Sequence, residues 1–171
     1  MSPQVIMSLV VLLAAIGAFM LTRTPPPEVT EFELPMIEQA QHVTEEVRLI
    51  TYDQFGLEVP VRVSLEVPTT DVGRLGAIVD ALVLRLGEQG DWPAGLETPT
   101  VHLVESTAGS TAVLDLAPPA GLGLDPETEE RLYRAFEETL LASGVRNMRF
   151  LLNGEPQGVF LQSVRVPVSL D

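Results

Sequence analysis

Residues 143–156 read SGVRNMRFLLNGEP, and this stretch carries the signals that decide the fold. Gly144 suits the left-handed backbone that follows the last turn of a helix. Apolar residues then alternate along 145–152, which predicts a strand with one buried face. Asn153-Gly154 is the strongest two-residue signal for a hairpin turn. The residues expected to face the core are Met148, Phe150 and Leu152, and those on the opposite side are Asn147, Arg149 and Leu151.

A helix is predicted immediately before this stretch. Asp125 is a favourable N-cap, Pro126 suits the first helical position, and the glutamates that follow complement the positive end of the helix dipole. The residues on its predicted apolar side are Leu132, Tyr133, Phe136, Leu140 and Leu141.

Two strands and another helix are predicted earlier in the chain. Residues 47–52 and 59–67 predict a hairpin joined by a turn at 53–56, because valine and leucine alternate with polar residues along the second run. A helical period then extends from 69 to 86. Its N-cap is Thr70 or Asp71, and it ends at Gly87 or Gly90. Within it, Gly73 and Gly76 mark either a close helix contact or positions that merely tolerate glycine.

Strands at 100–105 and 111–116 complete the pattern. The element order is ββαββαβ, with or without an additional edge strand at 163–170, where Pro167 excludes a central position in the sheet. We expect an α+β fold in which two helices pack on one face of a mixed β-sheet.

The N-terminal segment is apolar over the length of a bilayer. Residues 5–22 carry no charge, and as a helix they would span roughly 27 Å. We therefore predict an uncleaved single-pass transmembrane anchor at 1–23, with a cleaved signal peptide or a buried helix of a soluble protein as the alternatives. By the positive-inside rule, Arg23 alone favours a cytoplasmic domain after the anchor.

A spacer is predicted at 24–46, between the anchor and a globular domain at 47–171. Three consecutive prolines favour polyproline II, and the six glutamates of this segment repel one another. His42 lies in the predicted spacer. A lone histidine there is expected to be solvated rather than bound to a metal.

Composition excludes several classes of protein. The chain has 24 acidic and 10 basic residues and a net charge of −14, so we expect no binding to nucleic acid. It has no cysteine, which excludes disulfides, thiol nucleophiles and thiolate metal sites. At 171 residues, 46% of them hydrophobic, it can build one domain with a packed core.

No catalytic, cofactor or metal site is predicted, and we expect a protein that is not an enzyme. The aspartates form no recognisable acid/base pair, and no serine lies in a nucleophile elbow. His102 lies in a predicted strand without a second histidine nearby, so we expect it to be neither base nor ligand. The loop at 118–126 contains Gly-Leu-Gly but lacks the third glycine and the Lys-Ser/Thr of a phosphate loop.

The succession of a hairpin, a helix, STAGSTAVLDLAPP at 106–119, a capped helix and GVRNMRFLLNGEP at 144–156 resembles a GerMN domain, a module of bacterial sporulation and spore germination proteins. The resemblance covers about residues 47–156, as a single domain. It implies a domain similar to the ring-building motif of sporulation channel components, without catalytic activity. It also implies a location outside the cytoplasmic membrane, opposite to the one that Arg23 favours.

We therefore expect a single-pass protein of the cell membrane, with an extracytoplasmic domain that associates with copies of itself or docks to envelope proteins. The alternative is a module that binds peptidoglycan or a small envelope ligand. The predicted interaction surface comprises Trp92, in a loop, with Arg149 and Leu151 on the outward side of a strand. The alternative is that Trp92 covers the edge of the core and does not contact a partner.

Overall fold

The computed structural model describes residues 41–107 and 109–166. The predicted anchor at 1–23, and the predicted spacer as far as residue 40, lie outside this part of the chain. Within the described ranges, no helix is both long and apolar enough to cross a membrane. The elements are β1 (His42–Tyr52), β2 (Glu58–Pro68), α1 (Asp71–Gln89), β3 (Thr100–Ser106), β4 (Gly109–Leu116), α2 (Pro126–Ala142), β5 (Asn147–Leu152) and β6 (Glu155–Pro156).

The first two strands form a long antiparallel hairpin. It pairs from Tyr52 opposite Glu58 to His42 opposite Pro68, so β1 begins within the predicted spacer. The predicted alternation of β2 is confirmed, because its odd-numbered residues are half-buried or buried and its even-numbered residues from Glu58 to Glu66 are exposed. A compact turn joins the strands, with the backbone of Gly56 at a φ of 74°.

The other four strands form a mixed sheet in the order β3-β4-β5-β6. β3 and β4 are antiparallel, β4 and β5 are parallel with α2 between them in the chain, and β5 and β6 are antiparallel. The turn after β5 consists of Asn153 and Gly154, with φ values of 55° and 79°. Positive φ at both positions is the type I′ geometry that Asn-Gly favours, so the predicted turn is confirmed.

The α+β class, the two helices and the mixed sheet are confirmed, but the expectation of one sheet is wrong. β1 pairs only with β2 among the described strands, because α2 occupies its other edge. The buried Thr139 hydroxyl accepts a hydrogen bond from the Ile50 N–H at 2.9 Å and lies 3.4 Å from the Ile50 carbonyl oxygen, to which it donates. A side chain thus satisfies backbone groups that a neighbouring strand would otherwise pair.

Both helices begin and end at predicted residues. Thr70 is the N-cap of α1, and Gly90 ends the helix at a φ of 81°. Asp125 caps α2, its carboxylate accepting a hydrogen bond from the Thr128 N–H at 2.9 Å. The two glycines within α1 differ in their surroundings. A Cβ on Gly73 would lie 2.9 Å from the Pro68 Cβ, whereas a Cβ on Gly76 would meet no atom within 4 Å.

The core lies on the inner face of the four-stranded sheet, where the two helices pack, and the buried residues of β1 join it through contacts with those helices. Its centre is a group of aromatic rings in edge-to-face and tilted contact, which is the favourable geometry for such pairs. Phe150 of β5 and Phe160 of the C-terminal segment have ring centroids 4.4 Å apart, and Phe136 of α2 lies 6.3 Å from Phe150. Phe160 is fully buried although it lies outside every predicted element.

A buried carboxylate holds that C-terminal segment in place. Glu129 of α2 is 0% exposed. Its oxygens accept hydrogen bonds from the backbone N–H groups of residues 161, 162, 163 and 164, at 2.8–3.1 Å, and from the Ser163 hydroxyl. Burial by itself raises the pKa of Glu129, but these hydrogen bonds outweigh it and lower that pKa to about 2.

The additional edge strand at 163–170 is not formed over the residues that the structure describes there. Residues 163–166 contribute a single bridge, between Val159 and Arg165. The remainder, including Pro167, lies outside the described residues. The backbone N–H groups of residues 163 and 164 bond Glu129 instead of a neighbouring strand.

The two glycines of α1 predict opposite effects of the same substitution. Gly73→Ala should destabilise the fold by about 1–3 kcal/mol, because the new methyl group overlaps Pro68 and the Thr70 hydroxyl. Gly76→Ala should stabilise it by about 0.5–1 kcal/mol, since alanine is the better helix former and the space is open. Urea unfolding followed by the fluorescence of Trp92, the single tryptophan, measures both. Equal effects of the two variants would contradict this interpretation.

We expect the contribution of Glu129 to the free energy of unfolding to be lost in acid. Its folded pKa lies below the unfolded value, so its contribution is complete above about pH 4.5 and is lost as the pH falls towards 2. The difference corresponds to about 3 kcal/mol. Glu129→Gln should therefore lower the free energy of unfolding at pH 7 by about 2–4 kcal/mol and flatten its fall between pH 4.5 and 2.

The control is Glu130→Gln, because Glu130 is exposed and its ion pair with Arg134 lies on the surface. It should change stability by less than about 1 kcal/mol. If Glu129→Gln unfolded with the wild-type midpoint and the wild-type pH profile, the buried carboxylate would not stabilise the segment.

Candidate interaction surface

The sheet leaves one face uncovered by the two described helices, which both pack on the other face. We call it the outer face. Strand register aligns its residues in rows across β3, β4 and β5, and the central row is His102, Val113 and Arg149. The outer face comprises Thr100, His102, Val104, Ser106, Gly109, Thr111, Val113, Asp115, Asn147, Arg149 and Leu151.

The outer face has no net charge on a strongly acidic chain. Asp115 and Arg149 are its charged residues, and they cancel formally, whereas the whole chain carries −14. The residue of β4 opposite Arg149 is Val113, and the one opposite Leu151 is Asp115, so the two charges lie in neighbouring rows. A face with one charge of each sign is compatible with a second copy of itself, because each charge can meet its opposite across a two-fold axis.

Three apolar side chains lie among these polar residues. Val104 is 51% exposed, and Val113 and Leu151 are half-buried on the face opposite to the core. Asp115 accepts a hydrogen bond from the Gly154 N–H at 2.9 Å, which ties the face to the turn after β5. Arg149 donates a hydrogen bond to the Met148 carbonyl at 3.1 Å. The outer face therefore combines apolar and polar side chains on three regular strands.

The structure brings Arg149 and Leu151 together but separates Trp92 from them. Trp92 is half-buried on the core side, with its ring centroid 5.9 Å from that of Phe136. Its indole N–H donates to the Leu96 carbonyl at 2.8 Å. Trp92 thus covers the edge of the core, which is the other interpretation of this residue. Trp92 therefore does not lie on the outer face with Arg149 and Leu151, because the loop after α1 folds inward.

The outer face adds residues that sequence reasoning did not single out, namely Val104 and Val113. The alternation of β3 and β4 separates two faces in the sequence, but both faces contain valine. Only the position of the helices shows which valines are covered.

Neither histidine lies at a site with several potential ligands. His102 is exposed on the outer face, and His42 is the exposed first residue of β1. Among residues 41–107 and 109–166, no group of three or more His, Asp or Glu side chains could hold a metal ion.

The chain is similar to two solved structures from Bacillus subtilis. One holds the tandem GerMN domains of the sporulation protein GerM, with 17% identity and a TM-score of 0.46, and the match covers 75% of this chain and 46% of that one. The other is the first GerMN domain of GerM, with 21% identity and a TM-score of 0.44, covering 75% of this chain and 96% of that one.

Both similar structures are GerMN domains, the family that the sequence resembles. This chain spans less than half of the tandem-domain structure. No protein-family model matches the chain, and no curated protein does.

Proposed function

We propose that this chain is a non-enzymatic, single-pass membrane protein of the bacterial envelope, whose GerMN-like domain lies outside the cytoplasmic membrane and associates with a second copy of itself. The observation that supports the proposal is the neutral outer face on a chain of net charge −14. Interface cores are poorer in charged residues than the rest of a protein surface, and the outer face has that composition.

Electrostatics favours this face over the acidic parts of the surface. Two copies of an acidic chain repel one another wherever carboxylates approach. Contact through the outer face brings no excess of negative charge together. It also allows Arg149 of one copy to approach Asp115 of the other, while Val104, Val113 and Leu151 lose contact with water.

A membrane anchor would make a weak contact sufficient. The uncharged segment at 5–22 has bilayer length, so anchored copies would move in two dimensions. Confinement raises the effective concentration of one domain near another, and the interface then needs less affinity than it would in solution.

Cysteine crosslinking of the full chain in membranes tests self-association. The chain has no cysteine, so each variant carries a single thiol. Val104→Cys on the outer face should give a dimer with a short bis-maleimide. Leu84→Cys is the matched control, because Leu84 is 68% exposed but lies on α1. Co-expression of two differently tagged copies identifies a crosslinked pair as two copies of this chain.

We expect a tagged heterodimer from Val104→Cys and little from Leu84→Cys. Similar yields from both variants would contradict a specific face. A Val104→Cys adduct that contains a different protein would favour docking to an envelope partner over self-association.

Topology is a separate prediction. A periplasmic-type reporter fused after Asp171 should be active, and a cytoplasmic-type reporter fused there should be inactive, because the domain follows the anchor on the outer side. The opposite activities would place the domain in the cytoplasm, on the side that Arg23 favours by charge. Release of the domain from washed membranes would contradict an uncleaved anchor.

A further inference from the structure

A cleft opens between the turn of the β1–β2 hairpin and the first half of α2. We call it the tip cleft. Its volume is about 330 Å³, which is at the lower end of the range for small-ligand sites. The hairpin wall contains Tyr52, Gln54 and Phe55, and the helix wall contains Glu127, Glu130, Arg131 and Arg134.

The helix wall presents two carboxylates and two guanidinium groups on one side of α2. Their spacing of three and four residues places them on the same helix face. Arg134 pairs with Glu130 at 2.6 Å, and Arg131 donates a hydrogen bond to the Thr128 hydroxyl at 2.9 Å. The formal charges of this wall cancel, so the tip cleft offers both donors and acceptors without excess charge of either sign.

The hairpin wall presents an aromatic ring to water. Phe55 is 77% exposed at the tip of the turn. The Asp53 carboxylate fixes this turn by accepting hydrogen bonds from the Phe55 N–H at 2.8 Å and the Leu57 N–H at 2.9 Å. The backbone that bears the ring is therefore held in one conformation, although the ring itself contributes nothing to the core.

The inner end of the tip cleft is lined by a phenol that stays protonated. Tyr52 is buried, and burial, followed by its hydrogen bond with Glu138, raises the pKa of Tyr52 well above its usual range. The Tyr52 phenol therefore stays neutral over the physiological range of pH.

We infer that the tip cleft binds a neutral, polyhydroxylated ligand of the saccharide class. Guanidinium groups donate hydrogen bonds to vicinal hydroxyl groups, carboxylates accept hydrogen bonds from them, and an amide does both, often two at a time. The exposed face of Phe55 suits the C–H face of a sugar ring, which is apolar. A ligand with net charge would meet two attractive and two repulsive groups at the helix wall.

This inference does not depend on the proposed self-association. The tip cleft lies between the hairpin and α2, whereas the outer face belongs to β3, β4 and β5. Either can fail while the other stands.

Saturation-transfer NMR on the full chain in detergent micelles tests the inference, with the tetramers of N-acetylglucosamine and of glucose as probes. Phe55→Ala should weaken binding about tenfold, and Phe55→Trp should retain it. Leu57→Ala is the matched control, since Leu57 is 64% exposed on the same hairpin but does not line the tip cleft. It should bind like the unmodified chain.

Binding of either tetramer with this order of variants supports the inference, and the stronger of the two identifies the sugar. Three results would overturn it: no binding of either tetramer to the unmodified chain, equal losses in Phe55→Ala and Leu57→Ala, or stronger transfer to the charged probe citrate than to both tetramers.

Discussion

The fold depends on the buried carboxylate of Glu129, which forms no ion pair among the residues that the structure describes. Transferring a carboxylate from water into a protein interior costs several kcal/mol unless hydrogen bonds replace its hydration. Glu129 meets this requirement with four backbone N–H groups and one hydroxyl, all from residues 161–164. The segment must therefore turn its amides towards α2, and this turn brings Phe160 into contact with the rings of Phe136 and Phe150.

The same helix organises three parts of the domain. Glu129 holds the C-terminal segment, and one side of the helix forms the wall of the tip cleft. Near the other end, Thr139 closes the edge of β1. A change in the position of α2 would therefore move the hairpin, the aromatic core and the cleft together, while the outer face lies on the far side of the sheet from it.

Short sequence motifs predict the helix caps and the turns of this fold. They do not predict contacts between residues that are distant in sequence. Asp125, Gly144 and Asn153-Gly154 act within a few residues, where capping and turn geometry decide the outcome. Glu129 was interpreted only as a partner of the helix dipole, because its ligands lie more than 30 residues away along the chain. The single-sheet expectation failed for the same reason. Nothing near Ile50 in sequence indicates that Thr139 will satisfy its backbone.

The outer face, too, could be predicted from the sequence only as far as local signals reach. Strand alternation placed Arg149 and Leu151 on the outward side of β5, but the choice of their neighbours required the register of three strands. Trp92 lies apart from them, because a loop tryptophan beside Pro93 can fold inward or outward and the local sequence does not distinguish the two.

The outer face and the tip cleft share one property, which is that their positive and negative charges are balanced. A chain with net charge −14 is kept apart from similar chains by long-range repulsion, which is screened beyond about 8–10 Å at physiological ionic strength. Contact at short range is then favourable only where the local charge is balanced. The outer face is balanced by Asp115 and Arg149, and the tip cleft by two glutamates and two arginines. On an acidic domain, local neutrality therefore distinguishes the places where a second copy of the chain can approach from those where it is repelled.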